Sequence, residues 1–217
     1  DIDINAAPCN IKRTHKVFKD DFAKDSIDPV YSSPRTDYAG FAKPMFNEKD
    51  RRVLRITGRE SLNSFFDVSL LSYRLREHGF LAKTKVSFRP ECEHQTAGLC
   101  IIYDALDFYL ISIALSPDGK ELIRLTKSDK GVISMPESRS IRLPEDGVEL
   151  FISSEDGIRL CFGYDIEGRT EYMAESVLTS ILNDEYCRGF TGTQVGMYVH
   201  DLTGSGACAD FSYFMVE

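Results

Sequence analysis

The feature that most constrains the fold is a long succession of short apolar segments, each closed by a turn. At least eleven such segments follow one another at spacings of about 8–15 residues, with no helical pattern between them. Alternation is clearest over residues 80–88, and Pro90 ends that segment. Antiparallel chains of this kind bury their apolar faces by stacking two sheets. The sequence therefore predicts an all-β fold, an antiparallel two-sheet β-sandwich or jelly roll.

Apolar alternation and turn residues together place the predicted strands along the chain. The predicted strands cover residues 18–22, 53–56, 65–75, 80–88, 99–103, 108–115, 122–125, 132–135, 140–143, 148–153, 158–164, 194–200 and 211–216. Residues 176–183 predict one or two helical turns, and the prolines of residues 25–49 predict a long loop. A loop of that length is unusual inside a compact domain, which suggests an interface or functional role. Residues 1–16 lack periodicity and are interpreted as a linker or crossing segment, and residues 17–217 as the β-sandwich domain.

Charge and composition exclude several partners. The net charge of −8 repels a nucleic acid, and no cluster of Lys and Arg offers an exception. No apolar run of 18 residues or secretory signal pattern occurs, so neither a membrane segment nor a membrane partner is expected. The six cysteines form no CxxC pair, which favours reduced thiols and a cytoplasmic protein, with a secreted or periplasmic one as the alternative.

Motifs that would mark a catalytic site are missing from the sequence. There is no GxSxG, HExxH or GxxxxGK[ST]. His200 and Asp201 are adjacent on one strand, so their side chains point to opposite faces, and we expect structural or surface roles for them. His94 is interpreted as a solvated loop histidine. The aromatic pairs Phe65/Phe66, Phe108/Tyr109 and Tyr213/Phe214 are interpreted as core residues, and the absence of Trp argues mildly against an independent sugar-stacking platform.

Several segments, taken in order, resemble one family. They are FKDDF at 18–22, LRITGRESLNS at 54–64, SLLSYR at 69–74, QTAGL at 95–99 with Tyr103 following, LNDE at 182–185, FTGTQVGM at 190–197, DL at 201–202 and ADFSYF at 209–214. This pattern resembles the C-terminal domain of family 43 glycoside hydrolases of the β-xylosidase type, over about residues 17–217. The resemblance implies a concanavalin A-like sandwich packed against an N-terminal five-bladed propeller.

The resemblance also implies a division of labour between the two domains. The family's propeller supplies the general base, the general acid and a third carboxylate, and no positions of this chain match them. A phenylalanine on a sandwich loop reaches across to close the xylose pocket, and Phe190 is the matching position. The alternative is an ordinary core phenylalanine before a strand. The family often has two consecutive phenylalanines there, whereas this chain has Gly189-Phe190, and His94 also departs from the usual residue ahead of QxAGL.

The sequence therefore predicts a non-catalytic accessory domain of a β-xylosidase or arabinofuranosidase-type hydrolase. Its expected partners are the propeller domain, xylose-type sugars and, as an option, further copies of itself. One alternative is a free-standing carbohydrate-binding sandwich specific for xylan or xylo-oligosaccharides, and another is a hydrolase in its own right. No cofactor is expected; a structural calcium ion held by Asp20, Asp21 and Asp210 is the weaker alternative to aspartates that merely bond turn amides.

Overall fold

A computed structural model describes residues 17–217, and the segment interpreted as a linker, residues 1–16, lies outside the described residues. The described chain forms two stacked antiparallel sheets, which confirms the predicted concanavalin A-like sandwich. Between residues 17 and 217, no helix is long and apolar enough to cross a membrane.

Fourteen strands, two 3-10 turns and one short helix make up the described chain. The strands are β1 (Phe18–Asp20), β2 (Ala42–Phe46), β3 (Arg52–Thr57), β4 (Ser69–Arg74), β5 (Phe80–Ser87), β6 (Gln95–Ile102), β7 (Phe108–Leu115), β8 (Glu121–Asp129), β9 (Val132–Ser140), β10 (Val148–Ser154), β11 (Arg159–Ile166), β12 (Arg169–Leu178), β13 (Gln194–Asp201) and β14 (Cys208–Val216). The 3-10 turns span Tyr38–Gly40 and Thr179–Leu182, and helix α1 spans Asp184–Cys187.

Strand order differs between the two sheets. The eight-stranded sheet runs β12-β11-β10-β5-β14-β3-β2, with β1 as an eighth strand paired to β14 beside this path, and the six-stranded sheet runs β4-β13-β6-β7-β8-β9. Strand β14 pairs with β5 along one side, while β3 and β1 share its other side. The first strand therefore lies beside the last, with Phe18 opposite Val216.

Several predicted boundaries are wrong. Strand β2 occupies a stretch of the predicted loop 25–49, with Pro44 inside it, which an edge strand tolerates because one side makes no ladder bonds. Strand β12, the opposite edge of that sheet, was not predicted. Strand β9 is a single edge strand that covers the predicted segment 132–135 and continues to the start of 140–143. The strand predicted at 65–75 begins only at Ser69. The helical turns fall at Thr179–Leu182 and Asp184–Cys187, later than predicted.

Most buried side chains form one core between the sheets, with Leu54, Leu99, Ile111, Phe162, Met197 and Phe211 fully buried in it. A second, smaller cluster lies on the outer face of the six-stranded sheet, around Leu70, Cys100, Leu110 and Tyr198. Segment 58–68 folds over that outer face, because its Leu62 and Val68 belong to the second cluster. Both sides of this sheet are thus apolar, which explains why every residue of β6 is buried.

The strands end at two opposite loop regions, named here by one residue each. The Phe190 end carries the connections 75–79, 103–107, 130–131, 155–158 and 179–193. The Asp201 end carries the connections 88–94, 116–120, 141–147 and 202–207. Strand β1 begins at the Phe190 end, since Phe18 pairs with Val216 and Leu81 bonds the backbone of Glu217.

Candidate functional site

Phe190 stands at the tip of the loop that leads into β13. Its side chain is 95% exposed, the most exposed of the large apolar residues in the described chain. A phenylalanine that served the core would be buried, so this side chain has no packing role within the sandwich. The structure leaves its ring free to contact something outside the domain.

The loop behind Phe190 is held by Tyr103, the residue that follows β6. Tyr103 Oη donates a 2.6 Å hydrogen bond to Oδ1 of Asp184, and Thr191 Oγ1 donates to the Tyr103 carbonyl oxygen at 3.3 Å. Gly189 passes so close that a Cβ there would lie 2.7 Å from Tyr103 Oη. Only glycine therefore allows the backbone next to Phe190 to rest against the tyrosine ring.

Further contacts fix the two sides of the loop. Asn183 caps helix α1 by accepting from the Tyr186 amide at 2.8 Å, and Arg188 ends the helix in a left-handed conformation with φ 54°. On the other side, Thr193 Oγ1 donates to the Leu182 carbonyl oxygen at 2.7 Å. Gly192 has φ 68° and lies against the guanidinium group of Arg74. The exposed ring is thus carried by a braced loop.

Two phenol groups beneath the loop have raised pKa values. Burial, followed by the hydrogen bond to Asp184, raises the pKa of Tyr103. The bond from Tyr186 Oη to Asp129 Oδ1, 2.5 Å long, raises the pKa of Tyr186 to about 12, with burial adding to it. Both phenols therefore stay protonated at neutral pH and act as hydrogen-bond donors.

Two hollows flank the loop and share Tyr103 as a wall. The first, about 400 Å³, lies between the sheets and includes His78, Phe80 and Asp184 in its lining. The second, about 300 Å³, lies on the outer face of the six-stranded sheet and includes Ser33, Leu70 and Gln194. Each has the size of a small-ligand pocket.

Further exposed apolar side chains occur on two of the loops that line the second hollow. Phe65 and Phe66 are 49% and 73% exposed, so their interpretation as core residues is wrong. They lie at the tip of segment 58–68, where the Arg35 guanidinium stacks 5.4 Å from the Phe65 ring. Leu106 is 40% exposed on the loop that also supplies Ala105 to the lining, and its side chain lies towards Gly131.

Strand β1 packs close to the base of the loop that carries Phe190. The Phe18 ring stacks on Tyr73 with 4.9 Å between centroids. Tyr73 pairs with Val195 in β13, and Leu75 donates to the Thr193 carbonyl oxygen at 3.1 Å. The start of β1 and the base of the Phe190 loop are therefore packed against the same short stretch of β4.

The three aspartates predicted to hold calcium have separate surroundings. The Asp210 carboxylate accepts from Nε and Nη2 of Arg55 at 2.6 and 2.7 Å. Asp20 lies opposite Phe214, four positions along β14 from Asp210, and its Oδ1 accepts from the Phe22 amide. Asp21 accepts from the Ala23 amide. No group of three or more His, Cys, Asp or Glu suited to a metal occurs within residues 17–217, and the calcium site stays a prediction.

Asp201 organises the Asp201 end. It is 5% exposed and accepts hydrogen bonds from Thr203, Ser205, Gly206, Ala207 and Gln95. Burial alone would raise its pKa, but these donors outweigh burial, and the pKa lies well below its usual range. The carboxylate thereby satisfies the backbone of the tight loop 202–207, the structural role expected from the sequence.

His200 points to the opposite face, as predicted, and its Nδ1 lies 2.9 Å from Tyr198 Oη. Burial lowers the pKa of His200 to about 4, with Arg124 and His94 adding to it and Asp201 opposing it. The imidazole is therefore neutral at pH 7 and belongs to the packing of the outer face. His94 is exposed in the 88–94 connection, as expected for a loop histidine.

The cysteines of the described chain are free thiols, in accord with the preference for reduced cysteines. Cys100 is fully buried on the outer face of β6, and burial raises its pKa to about 12. Cys208 is exposed. Burial also raises the pKa values of Cys161 and Cys187, so these two thiols and Cys100 lack the lowered pKa that marks a nucleophile.

Comparison with known proteins decides the family. The sequence profile described as the β-xylosidase C-terminal concanavalin A-like domain matches residues 19–217. The chain belongs to this family. Its members in solved structures of family 43 xylosidases follow an N-terminal catalytic domain, so this sandwich corresponds to their second domain.

Curated relatives carry this domain as a minor part of their length. Xylosidase/arabinosidase 43B of Humicola insolens is 31% identical over 182 residues, which cover 79% of this chain and 34% of that protein. A putative β-xylosidase of Escherichia coli strain K12 is 29% identical over 211 residues, covering 92% of this chain and 38% of the relative. The crystal structure of a xylan β-1,4-xylosidase from Bacillus halodurans C-125 superposes with a TM-score of 0.79 at 24% identity, over 92% of this chain and 38% of that one. The chain thus spans about a third of the length of the curated relatives it matches.

The bracing residues Tyr103 and Asp184 were not predicted as site residues. Both lie in segments that carry the family resemblance, so a sequence signal for them existed. Their hydrogen bond could not be derived, because 81 positions separate them in the chain. Ser33 of the second hollow gave no signal, since it is an ordinary polar residue in a loop, whereas Gln194 lies in the segment 190–197 that carries the resemblance.

Proposed function

We propose that this domain packs against an N-terminal propeller catalytic domain through its Phe190 end and helps to close the sugar pocket of that domain. The single observation that carries the proposal is the 95% exposed Phe190 ring on a loop braced by Tyr103 and Asp184. A free apolar ring on a fixed support is unfavourable in water unless a partner covers it.

A further observation supports the choice of this end. The start of β1 packs beside the base of the Phe190 loop, so a domain preceding β1 would arrive next to the exposed ring. Contact through this end thus needs no long linker.

In this arrangement Phe190 binds sugar and does no chemistry. Its ring would narrow the pocket, exclude water and contact the apolar face of a xylose-type unit. The acid and base that cleave a glycosidic bond would come from the propeller. We therefore expect the isolated chain to release no nitrophenol from nitrophenyl xyloside or arabinoside. Turnover that vanishes on replacing a single acidic residue of this chain would contradict the proposal.

The decisive experiment replaces Phe190 in a protein that contains both domains. Phe190→Ala should raise KM for nitrophenyl xyloside about tenfold, because lost ring contact removes roughly 1.4 kcal/mol of binding, with little change in melting temperature. Phe46→Ala is the matched control, since that ring is 55% exposed but lies on β2, away from the Phe190 end. An unchanged KM, or equal effects of the two substitutions, would overturn the role assigned to Phe190.

A further inference from the structure

The second hollow has the make-up of a sugar site. Its walls come from four separate segments, residues 32–35, 62–72, 102–105 and 191–194. Leu62, Leu70 and Ile102 provide the apolar surface. A hollow of about 300 Å³ is at the lower end of the range that small ligands occupy, which suits one or two pentose units.

Polar groups at one side of the hollow are fixed by a small network. Gln194 Oε1 accepts from Ser32 Oγ at 2.9 Å and from Ser72 Oγ at 2.6 Å. Ser32 and Ser72 are themselves joined by two backbone hydrogen bonds of 2.9 and 2.8 Å. The amide oxygen of Gln194 is thus fully used, while its Nε2 donates to no atom of residues 17–217.

Other groups lining the hollow have spare hydrogen-bonding capacity. Ser33 Oγ is buried and has no hydrogen-bond partner within the described chain. Asp104 uses Oδ1 to accept from the amides of Leu106 and Asp107 and leaves Oδ2 free of described partners. Arg35 gives one N–H to the Phe65 carbonyl oxygen at 3.3 Å and keeps its other donors. A buried hydroxyl without a hydrogen-bond partner lowers the stability of the fold unless a ligand or a water molecule bonds to it.

The chemistry of these groups points to a neutral polyhydroxylated ligand. Donors from Gln194 and Arg35, an acceptor from Asp104 and a hydroxyl that does both match sugar hydroxyls, which also donate and accept. The carboxylate in the wall and the net charge of −8 disfavour an anion. Apolar side chains opposite the polar groups suit the C–H face of a pyranose ring.

We propose that this hollow is a second sugar-binding site, separate from the pocket that Phe190 would help to close, and that it takes a unit of a neutral xylo-oligosaccharide. The choice of xylose units rests on the proposed function, whereas the location rests on the hollow itself. Thr191 lines the hollow and follows Phe190 directly, so a sugar bound there sits against the base of the same loop.

Titration of the isotope-labelled chain with xylobiose, followed by amide chemical shifts, tests the site. We expect saturable shifts confined to residues 32–35, 62–72, 103–106 and 191–194. Ser33→Ala should weaken binding about three- to tenfold, because it removes one hydrogen bond to the ligand and breaks none within the protein. Ser138→Ala, on the exposed strand β9, is the matched control and should leave the affinity unchanged.

Two results would overturn the site: no saturable shift in these segments, or equal affinities of Ser33→Ala and the unsubstituted chain. Saturable shifts that centre on the first hollow, around His78 and Asp184, would overturn it as well. The outcome is independent of the propeller experiment. Binding in the hollow together with an inert Phe190→Ala substitution would reject the proposed function alone, and the reverse combination would reject this site alone.

Discussion

The two ends of the sandwich use their polar and apolar groups in opposite ways. At the Asp201 end, one buried carboxylate collects the donors of a whole loop. At the Phe190 end, a comparable set of hydrogen bonds fixes the loop that carries the exposed Phe190 ring. The second hollow, beside this loop, has a buried Ser33 hydroxyl without a described hydrogen-bond partner. The first arrangement stabilises the domain by itself, and the second leaves interactions for a partner to complete. Substitutions at the two ends should therefore separate stability from binding.

The largest expected effect is that of Asp201→Asn. An amide cannot accept from all the donors that surround Asp201, and buried N–H groups would be left unpaired. We expect the free energy of unfolding to fall by about 3 kcal/mol in urea titration. Asp21→Asn, whose side chain is exposed and bonds a single amide, is the control and should change little. Equal effects of the two substitutions would remove the distinction between the ends.

The next effect is a pH dependence at the Asp201 end. His200 has a folded-state pKa of about 4 against 6.5 unfolded, so the unfolded chain binds more protons between these values. The free energy of unfolding is therefore unaffected by His200 protonation above about pH 6.5. It falls as pH drops towards 4, by up to about 2 kcal/mol for a half-buried group. The difference in unfolding free energy between the parent chain and His200→Gln should change over that window. A difference that is constant with pH would contradict the burial argument.

A smaller effect is expected from Tyr103→Phe at the Phe190 end. Loss of the Tyr103–Asp184 hydrogen bond should lower the melting temperature by roughly 2–4 °C and loosen the loop. Because the sequence contains no Trp, Phe190→Trp supplies a single fluorescent reporter at the loop tip. In that background Tyr103→Phe should lower fluorescence anisotropy, whereas Tyr38→Phe on the distant 3-10 turn should not. Unchanged anisotropy would mean that the loop does not depend on this bond.

The smallest effects are those of Phe190→Ala and of calcium on the stability of the isolated chain. An exposed ring contributes little to folding, so Phe190→Ala should change unfolding free energy by less than about 0.5 kcal/mol. A loss of several kcal/mol would show that the ring packs against the sandwich after all.

Calcium added to the metal-free chain should leave the melting temperature unchanged, because both oxygens of the Asp210 carboxylate are already hydrogen-bonded to Arg55. An upward shift that Asp210→Asn abolishes would establish the predicted cation site.

The sequence predicted the fold class and the central strands better than the strands at the sheet edges. Strands such as β6 and β7 are buried on both faces and form continuous apolar runs, so they were visible in the sequence. Strands β2 and β12 lie at the sheet edges, where exposed Lys43 and half-buried Glu171 interrupt the apolar alternation, and Pro44 is a residue typical of loops. An edge strand is defined by the neighbour it pairs with, and pairing between distant segments is not a local property of the sequence.

The same limit applies to the candidate site. Phe190 was found because its segment resembles a family, and its exposure agrees with a contact outside the domain. Phe65 and Phe66 were misinterpreted because two adjacent aromatics next to a strand usually belong to a core; here segment 58–68 turns their rings outward at its tip. The second hollow was invisible to sequence reasoning, since four segments far apart in the chain must meet to form it.

The central place of β14 in the eight-stranded sheet has a consequence for synthesis. This strand joins β5 on one side to β3 and β1 on the other, yet it leaves the ribosome after all of them. Until it emerges, the earlier strands of the sheet remain as two unconnected groups, β12-β11-β10-β5 and β3-β2, and a separate β1. All have open edges, and the longest-range contacts form last. A nascent chain stalled ahead of Cys208 should stay protease-sensitive, and folding should follow release of the final strand.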